Sequence, residues 1–434
     1  YVYNLLSRMP NRLRILTLAV ITALCGLGAP AMTDTGNAVL SERVRSLQVR
    51  PIGADLAMPG PAVMVLDGPG GIQVDFDLID EDRRYLRYEL QHCNADWQPS
   101  QLAYIEYLDG FNEGTVEDYA FSQATTVHYV HYRITLPNDQ VRITASGNYL
   151  LRVYDEADGP EHPMLQCRFV VSEQTAALSG RVTSRTDVDF NREHQQLELQ
   201  VNLDRAQVRD PFNDVQLRIE QNGRTDNAAV LTKPLRASGK TLVYEHLPAL
   251  IFPAGNEYRR FETVSVTYPG MGVIENEFHG PYYHAFLETA ESRMPESYHH
   301  DQTLSGGYVV RATNASDQDT EADYMVTHFT LNYPETPGLD FFIDADFTHR
   351  RFSPESRMVF NRGTGLYELN MLLKQGSYSY QILAVPKGKD TGRTDVIEGN
   401  KYETRNLYTV YVYNRRPGER YDRLIGVYTL PAMP

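Results

Sequence analysis

The sequence predicts an all-β protein, a tandem of immunoglobulin-like or early-set β-sandwich domains. Three observations predict it. Apolar and polar residues alternate with period two through many short runs. Gly, Pro, Asn and Asp clusters punctuate those runs at roughly the 8–12-residue spacing of sandwich strands. After the N-terminal apolar segment, no stretch longer than a couple of turns carries a helical period. The 29 tyrosines against 16 phenylalanines suit half-buried strands, where the ring packs and the hydroxyl reaches water.

The N-terminus reads as a secretory signal. Arg8, Arg12 and Arg14 form a basic region before the apolar run Ile15 to Leu27. That run is too short to span a bilayer comfortably, which disfavours a retained anchor. Ala29-Pro30-Ala31 is an A-x-A site, so residues 1–31 are expected to leave by cleavage before Met32. Leu24 stands before Cys25 where a lipobox wants a small residue, which argues against lipidation. Residues 32–48 then read as a linker.

The first domain is predicted over 49–172. Val130, Tyr132, Ile134 and Leu136 alternate with Tyr129, His131, Arg133 and Thr135. Tyr149, Leu151 and Val153 lead into the acid, Gly and Pro turn at 155–160, and Leu165, Cys167, Phe169 and Val171 return as a hairpin.

The second domain is predicted over 173–290. Leu197, Leu199, Val201 and Leu203 alternate strictly, as do Val215, Leu217 and Ile219 before Asn222-Gly223, a strong hairpin signal. Phe252 to Glu257 reads as a loop, and Val264, Val266 and Tyr268 as a strand.

A polar linker is expected over 291–323 and a third, early-set-like domain over 324–434. Phe341, Ile343, Ala345 and Phe347 alternate with Asp340, Phe342, Asp344 and Asp346. Tyr367, Leu369, Met371 and Leu373 precede Lys374-Gln375-Gly376, and Val410 and Val412 lie in a last Tyr-rich strand. A chain of 434 residues accommodates three such domains at ordinary sizes.

Charge bounds the partners. The formal net charge is −15, and removing residues 1–31, with three arginines and no acids, makes it −18. An acidic exported product argues against nucleic acid and against anionic lipid. No later apolar stretch is long enough for a transmembrane helix, so direct membrane insertion is not expected. Cys93 and Cys167 remain in a disulfide-permissive compartment, where they either pair or stay as two buried thiols.

Several clusters imitate chemistry. His92, Cys93 and Asp96 resemble a Cys/His nucleophile or a zinc set, but adjacent residues on a strand face opposite sides. A structural turn, with Trp97 as a packed anchor of the first sandwich and Asp96 capping backbone N–H groups, is the better reading. Asp340, Asp344 and Asp346 lack the glycine and glutamate of a calcium loop and read as the solvated face of a strand. His299-His300-Asp301 reads as a solvated loop. Gly239-Lys240-Thr241 fails as a phosphate loop because Pro234 holds the position that needs glycine. Neither G-x-S-x-G nor H-E-x-x-H occurs. No catalytic, cofactor-binding or metal residue is therefore expected, no cofactor is expected, and the chain is read as a non-enzyme.

Two loops are sharper. Asn256 to Phe261 and Glu398 to Thr404 each combine acid, amide and aromatic groups. They read either as partner-contacting tips or, preferably, as local turns whose side chains bond their own backbone.

An ordered set of motifs goes further. His92-Cys93-Asn94-Ala95-Asp96-Trp97, Ser146-Gly147-Asn148-Tyr149, Arg168-Phe169-Val170-Val171, Gln221-Asn222-Gly223-Arg224 and Ala254 to Phe261 come first. Ala322-Asp323-Tyr324, Leu373-Lys374-Gln375-Gly376, Ile397-Glu398-Gly399-Asn400 and Arg420 to Gly426 follow. The chain resembles the plug protein family of the type IX secretion system of Bacteroidota. Tyr258 departs mildly from the family pattern, and Cys167 stands where that pattern has no cysteine. The resemblance implies a periplasmic protein that binds the large outer-membrane β-barrel translocon and closes its periplasmic opening sterically. Separately, residues 324–414 resemble early-set glycogen-binding modules. That implies an alternative, an envelope carbohydrate-binding protein with Tyr378 and Tyr380 as candidate sugar platforms.

Overall fold

A computed structural model describes residues 35–55 and 60–432. The expected signal peptide, its cleavage site and Cys25 lie outside the described residues. The fold is all-β, and its strands wrap three apolar cores.

In the first sandwich, one sheet orders Ala38–Val39, Pro163–Ser172, Gly147–Asp155, Leu86–Cys93 and Gly114–Thr115, with Val63–Val65 added in parallel. The facing sheet orders Val44–Pro51, Ile72–Leu78, Val130–Leu136 and Asp118–Phe121. The expected hairpin is present, with Tyr149 opposite Phe169, Leu151 opposite Cys167 and Val153 opposite Leu165. Those alternate residues, with Val74, Phe76, Tyr132 and Ile134, fill the core between the sheets.

The second sandwich pairs His194–Asn202 with Ala177–Thr183, Thr241–Tyr244 and Ile251–Pro253. Its facing sheet orders Ala229–Leu231, Val215–Gln221, Leu407–Asn414 and Arg423–Pro431. The last two strands thus belong here, with Val412 opposite Leu217, and not in a third domain running over 324–434. Asn222 and Gly223 both take positive φ, 53° and 73°, at the start of the loop that returns the chain to Ala229–Leu231.

The third core is wrapped by a single nine-stranded sheet. It runs Arg259–Glu262, Gly376–Pro386, Leu339–Asp344, Arg357–Asn361, Leu366–Lys374, Tyr324–Leu331, Tyr282–Leu287 and Val273–His279. Tyr308–Val310 adds to Gly376–Pro386.

The third sandwich therefore interrupts the second, and the expected boundaries need correction. Residues 259–287 leave the predicted 173–290 domain for the third. The predicted linkers are also structured: Val44–Pro51 is a full strand within 32–48 and beyond, and Tyr308–Val310 and the short helix Gln318–Glu321 lie within 291–323. Val264, Val266 and Tyr268 form no strand, since the chain bends there after Glu262. The common reason is that alternation locates strands but carries no information on which strand pairs with which.

Candidate functional site at the sandwich junctions

His92 and Cys93 do face opposite sides of their strand. His92 Nδ1 lies 2.8 Å from Ser100 Oγ and Nε2 lies 3.0 Å from the Ser146 carbonyl, with the ring packed against Tyr107, Tyr149 and Tyr421. Burial holds His92 down at about 4, so the ring is neutral. Cys93 points instead into a separate apolar cluster with Trp97, Leu150, Val170, Tyr411, Tyr413, Leu424 and Val427. Burial pushes its thiol up to about 11. A neutral histidine and a protonated thiol on opposite faces cannot work as a nucleophile pair.

Asp96 caps the turn as expected, accepting from Gln98 N–H at 3.0 Å. Trp97, however, does not anchor the first core. It sits between the first and second sandwiches, beneath the Arg168 guanidinium at 4.2 Å from the ring centroid. Around it, Ala95 N–H donates to Asp422, Tyr413 OH donates to Asn148, and Arg423 pairs with Glu173 at 2.6 Å. Cys93 and Cys167 are both free, one in this junction and the other in the first core.

The junction between the first and third sandwiches is built of charge. Asp75 and Asp77 lie in strand Ile72–Leu78 with side chains on the face away from Val74 and Phe76. In an isolated sandwich that face meets water, but here the third sandwich covers it. Lys374 Nζ lies 2.6 Å from Asp77 Oδ2 and also donates to the Asp319 carbonyl at 2.6 Å, with 2% of its side chain exposed. Its ammonium sits 4.1 Å from the centroid of the Tyr129 ring, a cation–π contact that compensates lost hydration.

Tyr324 OH donates to Asp77 at 2.7 Å, and His131 Nδ1 lies 2.7 Å from the other Asp77 oxygen. Arg133 joins Asp75 at 2.7 Å to Asp319 at 2.6 Å, and Arg50 reaches Asp75 at 2.8 Å. Asp323 accepts from the backbone of Thr126 and Val127, at 2.7 and 3.0 Å.

Burial alone would raise the Asp75 carboxyl, but His131, Arg50 and Arg133 outweigh it and hold the group at about 2. Burial would lower His131, yet its bonds to Asp75 and Asp77 push it up to about 9. Asp77 is likewise held below its ordinary value by Lys374 and His131 against the effect of burial. Asp75, Asp77 and His131 are thus charged across the neutral range.

The two loops singled out in the sequence meet each other where the second and third sandwiches join. Asn256 donates to the Glu398 carbonyl at 2.8 Å, and Lys401 N–H donates to the Gly255 carbonyl at 2.7 Å. The Glu398 carboxylate, wholly buried, accepts from Arg259 at 3.0 Å, Arg293 at 2.5 Å and Ile382 N–H at 2.8 Å. Burial would raise it, but the two arginines hold it at about 2. Neither exposed tips nor purely local turns describe these loops, because each is the other's partner.

The model of the type 9 secretion system plug protein 1st domain matches residues 44–173, which is the first sandwich almost entire. The chain belongs to the type IX secretion system plug protein family.

A hypothetical protein from Parabacteroides merdae ATCC 43184, known from a 2.30 Å crystal structure, is 40% identical. The likeness covers 92% of this chain and 99% of that one, with a TM-score of 0.89. No curated protein is significantly similar to the chain.

The motifs that carry the plug-family resemblance line the junctions. Ala322-Asp323-Tyr324 and Lys374 close the first on the third sandwich, and Gln375 accepts from Asp323 N–H within the third. Ser146 to Tyr149 and Arg420 to Gly426 close the first on the second. The remaining candidates divide: His299 and His300 are exposed in a loop, as expected, while others depart from expectation. Asp344 is no solvated residue but is buried and paired with Arg350 at 3.2 Å. Asp301 pairs with Arg260. Tyr378 and Tyr380 are buried in the third core, where no sugar could stack on them, so the carbohydrate-binding alternative loses its platform.

Residues Asp75, Asp77, His131, Arg133 and Asp319 were not singled out by the sequence. The first four had only a polar side in a strand as signal, which reads identically whether water or another sandwich covers it, and Asp319 lies in the short helix Gln318–Glu321.

Proposed function

We propose that this chain is a non-enzymatic periplasmic plug that binds the outer-membrane translocon barrel of type IX secretion and closes its periplasmic opening. Family membership supports the reading, and one structural observation carries it: three sandwiches are locked at each junction by buried ion pairs and hydrogen bonds. Steric closure of a wide pore needs a body that does not deform at its joints, and it needs no bond making. Release then occurs at the interface with the barrel, where a competing carrier shifts the balance between bound and free plug. The acidic surface steers the plug toward a complementary basic rim.

Two measurements test this. Affinity purification of the protein from the envelope of a type IX-secreting bacterium is expected to recover the giant barrel. Conductance of the purified barrel in planar bilayers is expected to fall when the protein is added from the periplasmic side. Unchanged conductance at saturating protein, or retention on insoluble glycans without the barrel, would overturn the reading.

A further inference from the structure

The outer face of the third sandwich carries a ladder of rings that the plug reading leaves unused. Val273–His279, Tyr282–Leu287 and Tyr324–Leu331 are neighbours there, the last two in parallel. Phe286 stacks on His328 at 4.3 Å between centroids, His328 on His284 at 5.1 Å, and His279 meets His284 edge-on at 5.0 Å. His284 Nδ1 and His328 Nε2 point at each other, 2.8 Å apart.

The surroundings of the pair are those of metal ligands. The His279 backbone hydrogen-bonds the His284 ring, and the Asn370 side chain hydrogen-bonds the His328 ring. Such partners orient a ligating imidazole, and the proton of the His284–His328 hydrogen bond moves to a ring's other nitrogen or to solvent when a cation takes both facing lone pairs. Glu277 stands directly opposite His284 in register, and its carboxylate lies 2.6 Å from His279 Nε2. Both Glu277 and His279 are substantially exposed and can rotate. Glu368 adds negative charge beside His328.

We propose that His284 and His328 form a binding site for a borderline divalent cation of the zinc, nickel or cobalt type, completed by Glu277 or His279. Among the described residues no group of three ligands already converges, so the pair is the preformed part and the third ligand swings in. Two imidazole nitrogens on one tetrahedral zinc are about 3.3 Å apart, given Zn–N bonds of about 2.0–2.1 Å. The pair must open by roughly half an ångström, which half-exposed rings on a sheet surface accommodate. Two imidazoles with a third imidazole or a carboxylate select this ion class over calcium or magnesium, which prefer oxygen.

The test uses the whole mature protein without an affinity tag, stripped with chelator and titrated with zinc chloride by calorimetry. Cobalt absorption spectra report the coordination. The expected result is one equivalent bound in the micromolar range, weakened about tenfold or more by His284→Ala and by His328→Ala. Glu277→Gln and His279→Ala are expected to identify the third ligand by a smaller loss. His299→Ala and His300→Ala, remote in the chain, are expected to leave binding unchanged. Circular dichroism checks folding, and His328→Gln replaces any alanine variant that fails to fold. Absence of saturable zinc binding, or binding unaltered in a folded His284→Ala/His328→Ala protein, would sink the proposal.

Discussion

Lys374 and Asp77 stand 297 positions apart and meet at 2.6 Å, with almost nothing of either side chain exposed. One comes from the third sandwich and the other from the first. Two opposite charges withdrawn from water gain from each other only while both are present. The pair therefore makes the junction conditional on correct seating of both sandwiches.

Replacing Lys374 by Met keeps the volume and removes the charge. Asp77 is then buried beside Tyr324 and His131 with its strongest counter-charge gone. The expected loss is about 3–5 kcal/mol, the usual cost of breaking a buried pair from one side. Denaturant unfolding of Lys374→Met measures it. The double variant Lys374→Met/Asp77→Asn is expected to recover much of the loss, and failure to do so would mean the charge was not the cause.

Stability should depend on pH in two separate windows. Asp75 is held down at about 2, so its contribution is present above the unfolded carboxyl value, near 3.8, and is lost as pH falls from there toward 2. His131 is pushed up to about 9, so its contribution is complete below the unfolded value of 6.5 and is lost as pH rises toward 9. The alkaline loss is on the order of 3 kcal/mol. Urea midpoints across this pH range should trace both windows, and His131→Gln should flatten the alkaline limb and, because His131 helps hold Asp75 down, also shrink the acidic one.

Trp97 is the only tryptophan of the chain and is 8% exposed, at the junction of the first and second sandwiches. Its fluorescence is a reporter of that joint. Emission should be blue-shifted and poorly quenched by acrylamide in the native state, and should move to the red when the joint opens. Trp97→Ala should cost about 3–5 kcal/mol, as large-to-small changes at buried aromatic sites do. An exposed-type spectrum in the native protein would contradict the packing.

Cys93 and Cys167 should be inert to Ellman's reagent until the protein unfolds. Burial raises both thiols, Cys93 to about 11 and Cys167 further, so the reactive thiolate is scarce as well as inaccessible. Both should react in denaturant without reductant, since they are free. A thiol count that rises only after reduction would show a disulfide instead.

Strand alternation read from the sequence located most of the β-structure, because a strand with one buried face announces its period residue by residue. The separation of His92 from Cys93 was legible for the same reason. So was the Asp96 cap, whose partner lies two residues away. The return of Leu407–Asn414 to the second sandwich was not legible, since Val410 and Val412 alternate in the same way whichever sheet receives them.

The sequence by itself thus determined the class of fold, the family, and that His92 and Cys93 face opposite sides of one strand. These follow from local periodicity and from ordered motifs. The tertiary structure alone decided where the sandwiches divide, that Trp97 serves a joint, and that Glu398 and Asn256 are partners. It also decided that Asp77 and Lys374 share one buried site. A polar side chain is solvated or paired according to what packs over it, and that neighbour comes from a distant part of the chain.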